Sequence, residues 1–566
     1  MRSDVPGWAR SLNRDLTDLS PAQMPIHGAA PLSVGLMSPG SQVSSGPSMD
    51  DEVTFISGVT ANGLVANISF DTWNGQNPAM YTAAPSLGKW GGGAAGDAGG
   101  TVRYFFNPAA HWSAAEESAL AAGLKLWSDE ANIQFRLTAD RARAQLIFDR
   151  GNDGSAYEYA STSSTAVAGS SSIPRNLVAH ISIDTSVPGF GPIGASFVSY
   201  GGYPWGTLVH EEGHALGLGH AGPYNGNVRP LTQQYSAYDS RIWSIMSYID
   251  PDQTAKYSSQ YPVHASWGNF VPETPMPLDI LAAQRLYGAP DHTALSGGQT
   301  FGFHCNISDA TEEFFDFNIN QYPVVTLYDR GTNNCLDLSG YSTSSHVNLN
   351  AGAYSSCAGL THNIAIAFGT QIDTALGGSG NDSILANGDG DRLWGGAGND
   401  LLTGGSRRDV LAGQGGADRL SGNGGNDLLK GGPGADILNG GSGADRFVFF
   451  HVSDSTGKAF DTIVGFDPGH GDRIDLPESV TQVDAQITSG SLSRATFDSD
   501  LASAVGGSQL QGHHAVMFTP DAGTLAGHTF LVVDANGQPG YQADADFVIQ
   551  LTHPASLAGL QSSTFI

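Results

Sequence analysis

Within eleven residues the chain places His210, Glu211, His214, Gly217 and His220. On a helix, His210 and His214 fall one turn apart on one face, so both imidazoles reach the same metal ion. Gly217 permits a left-handed turn after the helix and lets the chain swing His220 round as a third ligand. Three neutral histidines leave one open position on tetrahedral Zn²⁺, the pattern of catalytic rather than structural zinc. Glu211 adjoins the first ligand and is placed to take a proton from a water whose pKa the metal lowers. Glu212 lies about 100° further round the helix, away from that face, and serves as an internal control. With 17 His and 11 Glu in the chain, a chance His-Glu-x-x-His is expected on the order of 0.01 times, which disfavours a pair of ordinary core histidines.

A second set of residues repeats every nine positions: Asp382, Asp391, Asp400, Asp409, Asp418, Asp427, Asp436 and Asp445. Two residues after each stands Ile384, Leu393, Leu402, Leu411, Leu420, Leu429, Leu438 or Phe447. A disordered Gly-rich linker predicts neither fixed position. Gly-Gly-x-Gly-x-Asp makes a turn needing positive φ, and the next three residues form a short strand with one side chain inward. Stacked turns bring carboxylates and carbonyls together in a hard-oxygen cage suited to Ca²⁺. Two turns depart: Asp389 and Arg407 each replace the fourth-position Gly.

These groups need elements to carry them. Ser113 three residues before Glu116, with Leu120, Leu124, Trp127 and Ala131 on one face, predicts a helix over 113–131. Strand patterns fall at 102–106, 133–137, 144–148 and 177–183, and a last helix at 278–287 stops at Gly288 and Pro290. Helix followed by strands implies a mixed sheet. The segment 177–183 is the expected edge for an extended peptide substrate. The boundaries read 1–60 as a flexible leader or pro-segment, 61–290 as the zinc domain and 291–376 as a β-rich transition segment. The repeat roll with its cap follows over 377–476, and 477–566 forms a C-terminal domain with a secretion signal.

Composition bounds the function class. The net charge of −29 disfavours nucleic acid and anionic membranes as partners. The acid is 43 Asp against 11 Glu, and Asp favours turns and oxygen-ligand loops. Three cysteines, Cys305, Cys335 and Cys357, form no disulfide framework, and none precedes residue 305 to act as a cysteine switch. Residues 1–30 show no apolar signal core, and no run reaches membrane-spanning length.

Beyond the third histidine, Ser244, Ile245, Met246, Ser247 and Tyr248 resemble the Met-turn of metzincin zinc proteases. Within that group the chain most resembles the serralysin family. The shared motifs include Asp279 to Gly288, 336–341, the nonapeptide run of RTX type, and 461–466 leading into 471–476. The resemblance implies an α+β metzincin-type protease domain, with a mixed sheet and an active-site helix, followed by an all-β parallel roll. It further implies a secreted, extracellular, monomeric endopeptidase with one catalytic Zn²⁺ and several structural Ca²⁺, acting on proteins or peptides and exported by a type I secretion apparatus. Met246 would form the base under the metal, and Tyr248 would ligate zinc at rest and stabilise the tetrahedral intermediate. The chain departs from the family at Ala221, where Pro is usual, in the stretch 251–275, which reads as an insertion near the cleft, and in a tail without an acidic residue before its last apolar residues. Two other classes stay open: a non-catalytic calcium-dependent adhesion or surface protein, and a narrow-specificity toxin-like protease.

Overall fold

Ser48 caps the first described helix, α1 (Met49–Ser57), and Asp51 returns the bond to the Ser48 backbone, while Gly58 ends the helix at φ +66°. The structure is a computed structural model describing residues 46–67, 69, 88–187, 189–192, 202–291, 293, 295–554, 557 and 559–566. Helix α1 buries Val53, Phe55 and Ile56. Phe55 stacks on Tyr235 at 4.1 Å, and the Ile56 carbonyl accepts from Gly219 at 2.7 Å. The expected leader therefore cannot extend to residue 60: three apolar side chains behind a capping box have a core to enter. Residues 1–45 of that leader lie outside the described residues.

Strands β1 (Gly100–Phe106), β2 (Ile133–Leu137), β3 (Leu146–Arg150), β4 (Ala156–Thr162) and β5 (Asn176–Ile183) form a sheet of order β2-β1-β3-β5-β4. All pairings are parallel except β4 against β5. The expected substrate edge at 177–183 is thus an interior strand, bonded by β3 and β4, and the edge is β4. Helix α2 (Ala114–Glu130) starts from the Ser113–Glu116 capping box and buries Leu120, Leu124 and Trp127. Helix α3 (Tyr203–Ala215) carries the first two histidines, and α4 (Pro277–Tyr287) closes this region.

The remainder is built on two parallel ladders. One joins 300–302, 335–337, 374–376, 392–397, 410–415, 428–430, 446–448 and 473–475 in order; the other joins 346–348, 383–385, 401–403, 419–421, 437–439, 461–464 and 547–552. Residues eighteen apart stack, as Ile384 on Leu402 and Leu393 on Leu411, and the eight repeated apolar residues are buried. The roll therefore begins at Thr300, within the expected transition segment, because strands without the Gly-rich turn still add coils. It also reaches past 476, where 547–552 extends one ladder and leads into antiparallel strands 529–533 and 514–518.

Between the first ladder strands lie a short helix (312–315) and a three-stranded sheet of 354–355, 364–366 and 325–327, and these pack on the zinc-motif region. The Tyr354 hydroxyl donates to the Ile242 carbonyl at 2.5 Å, Trp243 meets the Tyr354 ring edge-on at 5.2 Å, and Trp205 stacks on Phe314 at 4.7 Å.

Candidate active site

Helix α3 ends where its C-terminal bonds tighten: Gly217 donates to the His214 carbonyl at 2.7 Å and takes φ +97°. A Cβ there would stand 2.2 Å from the Gly88 carbonyl oxygen, so both conformation and space require glycine. Beyond this turn the chain brings His220 back over the helix. Its Nε2 lies 3.1 Å from Nε2 of His210 and 3.2 Å from Nε2 of His214.

The second nitrogen of each ring decides what this contact is. Nδ1 of His210 faces the Ile245 carbonyl at 2.9 Å, that of His214 the Leu218 carbonyl at 2.8 Å, and that of His220 the Tyr224 carbonyl at 2.8 Å. A carbonyl only accepts, so each Nδ1 carries the proton and each neutral ring turns a bare lone pair toward the others. Burial drives the His210 imidazolium down to about 4 and those of His214 and His220 well below their ordinary value. Three converging lone pairs repel unless a cation sits among them. Tetrahedral zinc with Zn–N near 2.0–2.1 Å sets its nitrogens about 3.3 Å apart, close to what these rings show. The donor set fits zinc.

Glu211 lines the same cavity as His210 and Tyr248, a cleft of about 340 Å³ also bounded by Tyr157, Tyr203 and Arg241. Burial pushes the Glu211 carboxyl up to about 8, opposed by the Glu158 backbone N–H that donates to it. Glu212 points the other way, fully buried against α2, where a Cβ on Gly123 would lie 2.2 Å from its Oε2. The Tyr248 ring sits 4.6 Å from the His220 ring and 5.1 Å from the Tyr224 ring, its phenol held protonated by burial and by Glu211. Met246 is fully buried beneath α3, its Sδ so near Gly213 that a Cβ there would stand at 2.8 Å.

Two residues that sequence reasoning gave no role hold this frame. Asp279, at the third position of α4, accepts from Ser244 Oγ at 2.5 Å and from the Ile245 and Met276 amides at 2.6 and 2.8 Å. It thereby fixes the segment whose Ile245 carbonyl orients His210. Asp239 accepts from the Tyr224 hydroxyl, from Ser247 Oγ at 2.8 Å and from the Tyr235 amide at 3.0 Å. Tyr224 in turn orients His220. Asp279 carried two sequence signals, an acidic residue opening a helix and its place at the start of the shared 279–288 motif, but neither gave its role; Asp239 had none, because its partners are brought to it by folding.

The eight repeat aspartates are all buried along the two edges of the roll. Asp400, Asp418, Asp427, Asp436 and Asp445 each keep a buried Oδ2 with no hydrogen-bond partner. Burial pushes Asp400 and Asp427 up to about 7 and Asp418 to about 6. Orphaned carboxylate oxygens beside backbone carbonyls are the chemistry Ca²⁺ completes.

Residues 292–494 match the family model described as Peptidase M10 serralysin C terminal. That region resembles the C-terminal part of serralysins. The chain is 32% identical over 283 residues to a metallopeptidase AprA of Pseudomonas marginalis, covering 49% of this chain and 55% of the relative. It is 33% identical over 274 residues to serralysin B of Dickeya chrysanthemi, covering 46% and 51%, and 39% identical over 182 residues to serralysin C of the same organism, covering 32% and 35%. The chain thus spans about half the length, or less, of these serralysin-family relatives. Among the described residues no helix is long and apolar enough to cross a membrane.

Proposed function

We propose that the chain is a secreted zinc-dependent endopeptidase of metzincin type. The observation that carries this reading is the convergence of three Nε2 lone pairs, each fixed by a carbonyl behind the ring. Zn²⁺ held by His210, His214 and His220 supplies Lewis-acid polarisation of water and of the scissile carbonyl. The remaining steps belong to the chain's own side chains. Glu211 takes the proton of the attacking water and passes it to the leaving amine. Tyr248 donates its hydroxyl hydrogen to the oxygen on which charge develops. The β4 strand ends the sheet beside the cleft, with no further strand on its outer side among the described residues, so an extended peptide adds as a further strand with little demand on its sequence. Ala156 and Tyr157 of that edge line the cavity.

Calcium enters through the roll. Its aspartates repel one another until Ca²⁺ fills the turns, and extracellular calcium modules bind at about 10⁻⁴ to 10⁻³ M. Folding then waits for export through a type I apparatus, because a ligand bound only by the native state draws the equilibrium toward it.

The test is zinc content and cleavage of denatured casein, measured on the full chain refolded in calcium. One zinc per chain with cleavage is expected, and Glu211→Gln should keep the zinc and lose the cleavage. A chain that binds no zinc and cleaves nothing overturns the reading in favour of a calcium-dependent adhesion protein.

A further inference from the structure

The run of eight turns contains six steps joining turns eighteen residues apart. In every step the backbone N–H of the earlier aspartate donates to Oδ1 of the later one. The pairs are Asp382 to Asp400, Asp391 to Asp409, Asp400 to Asp418, Asp409 to Asp427, Asp418 to Asp436 and Asp427 to Asp445, all at 2.7 to 2.9 Å. Five of these later aspartates keep the second oxygen buried and unsatisfied: Asp400, Asp418, Asp427, Asp436 and Asp445. Asp409 is the exception. Its Oδ2 accepts the Gly405 amide at 2.6 Å.

The same step carries the two residues that depart from the repeat. Arg407 stands on one turn and Asp389 on the turn beneath, and the guanidinium Nη1 donates to the Asp389 carboxylate at 3.0 Å. Neither position takes the positive φ of Gly398, Gly416, Gly425 and Gly443 at the same place, and nor do the consensus glycines Gly380 and Gly434. The exposed Arg407 guanidinium disfavours a divalent ion at this step, and the Asn387 and Gly405 amides satisfy Oδ2 of both Asp391 and Asp409, which leaves Asp391 Oδ1 as the one unpartnered carboxylate oxygen of the pair. The substitutions are complementary in charge and lie one stacking distance apart.

We propose that the step between turns 386–391 and 404–409 closes without calcium, its Arg407–Asp389 ion pair standing where the other five steps take Ca²⁺. This rests on the reading that the orphaned carboxylates are calcium ligands. The roll then contains one calcium-independent contact near its start, flanked by calcium-dependent ones.

The test is calcium stoichiometry by equilibrium dialysis on the full chain. The double variant R407G/D389G restores the repeat and should bind one more Ca²⁺ per chain than wild type. The exchange variant R407D/D389R keeps the pair and should match wild type. Wild type and R407G/D389G binding the same number of calcium ions overturns the inference. A wild-type chain that binds no calcium overturns instead the calcium reading beneath it. Crystals of the wild-type chain grown in calcium give a readout independent of any variant's folding: anomalous peaks are expected at the five other steps, and a peak at the Asp391–Asp409 step overturns the proposal.

Discussion

At the histidine centre each ligand is held from behind by a backbone carbonyl, and those carbonyls are anchored by α3, by the Asp279-bound turn and by the Asp239–Tyr224 pair. In the aspartate ladder the carboxylates are half-satisfied by each other's backbone and keep buried oxygens with nothing to bind. The first arrangement is a socket that the protein core builds. The second is a row of carboxylates buried together, pushed up by burial and further by the neighbours eighteen residues away. Both regions bury apolar side chains, but in the roll buried carboxylate oxygens without partners recur from turn to turn, and under the proposed function calcium would fill these places.

Removing calcium should therefore break the ladder before the socket. Chelation is expected to abolish most of the β signal in far-ultraviolet circular dichroism, with recovery at millimolar calcium. Casein cleavage should fall with it, since Tyr354, on the small sheet between the first ladder strands, bonds the Ile242 carbonyl just ahead of the Met246 turn. Full β content without calcium would erase the contrast. Glu211→Gln comes next: kcat lower by roughly 10³ to 10⁴, with one zinc retained by atomic absorption and the calcium response unchanged. Tyr248→Phe should lower kcat by roughly 10²-fold while leaving KM near wild type.

Asp279→Asn sharpens the socket side. The amide keeps the shape but cannot accept from the Ser244 hydroxyl and both backbone amides as the carboxylate does, so zinc should bind more weakly, its Kd in competition with a chelator rising by roughly 10- to 100-fold. An unchanged Kd would mean that the Ile245 carbonyl is fixed by other contacts. Glu212→Gln carries the smallest effect: its side chain faces Gly123 on α2 rather than the cleft, so kcat/KM should stay near wild type and only the thermal midpoint should move.

Two readings of position failed for the same reason. The segment 177–183 has the alternation of a strand, yet edge or interior depends on which strands come to lie beside it, and β4 lies twenty residues earlier with exposed Tyr157 and Tyr159 that gave no edge signal. The roll was placed from 377 because only there does the turn carry its glycines; the coils from Thr300 onward have the ladder without the motif.

What the sequence by itself determined is what short-range spacing encodes. The interval from His210 to His220 specifies a helix turn, a left-handed glycine and a returning ligand, and Ser113 with Glu116 specifies where α2 starts. The nine-residue period specifies a stack with aspartates in its turns and apolar side chains within. Tertiary structure alone decided which carbonyls orient the imidazoles, which carboxylates anchor those carbonyls, and that Arg407 meets Asp389 rather than solvent. His210 meets the Ile245 carbonyl and Asp279 meets Ser244 across 35 residues, and Arg407 meets Asp389 on a different coil. No local propensity reports them, because their free energy appears only once burial has removed the water that would otherwise satisfy the same groups.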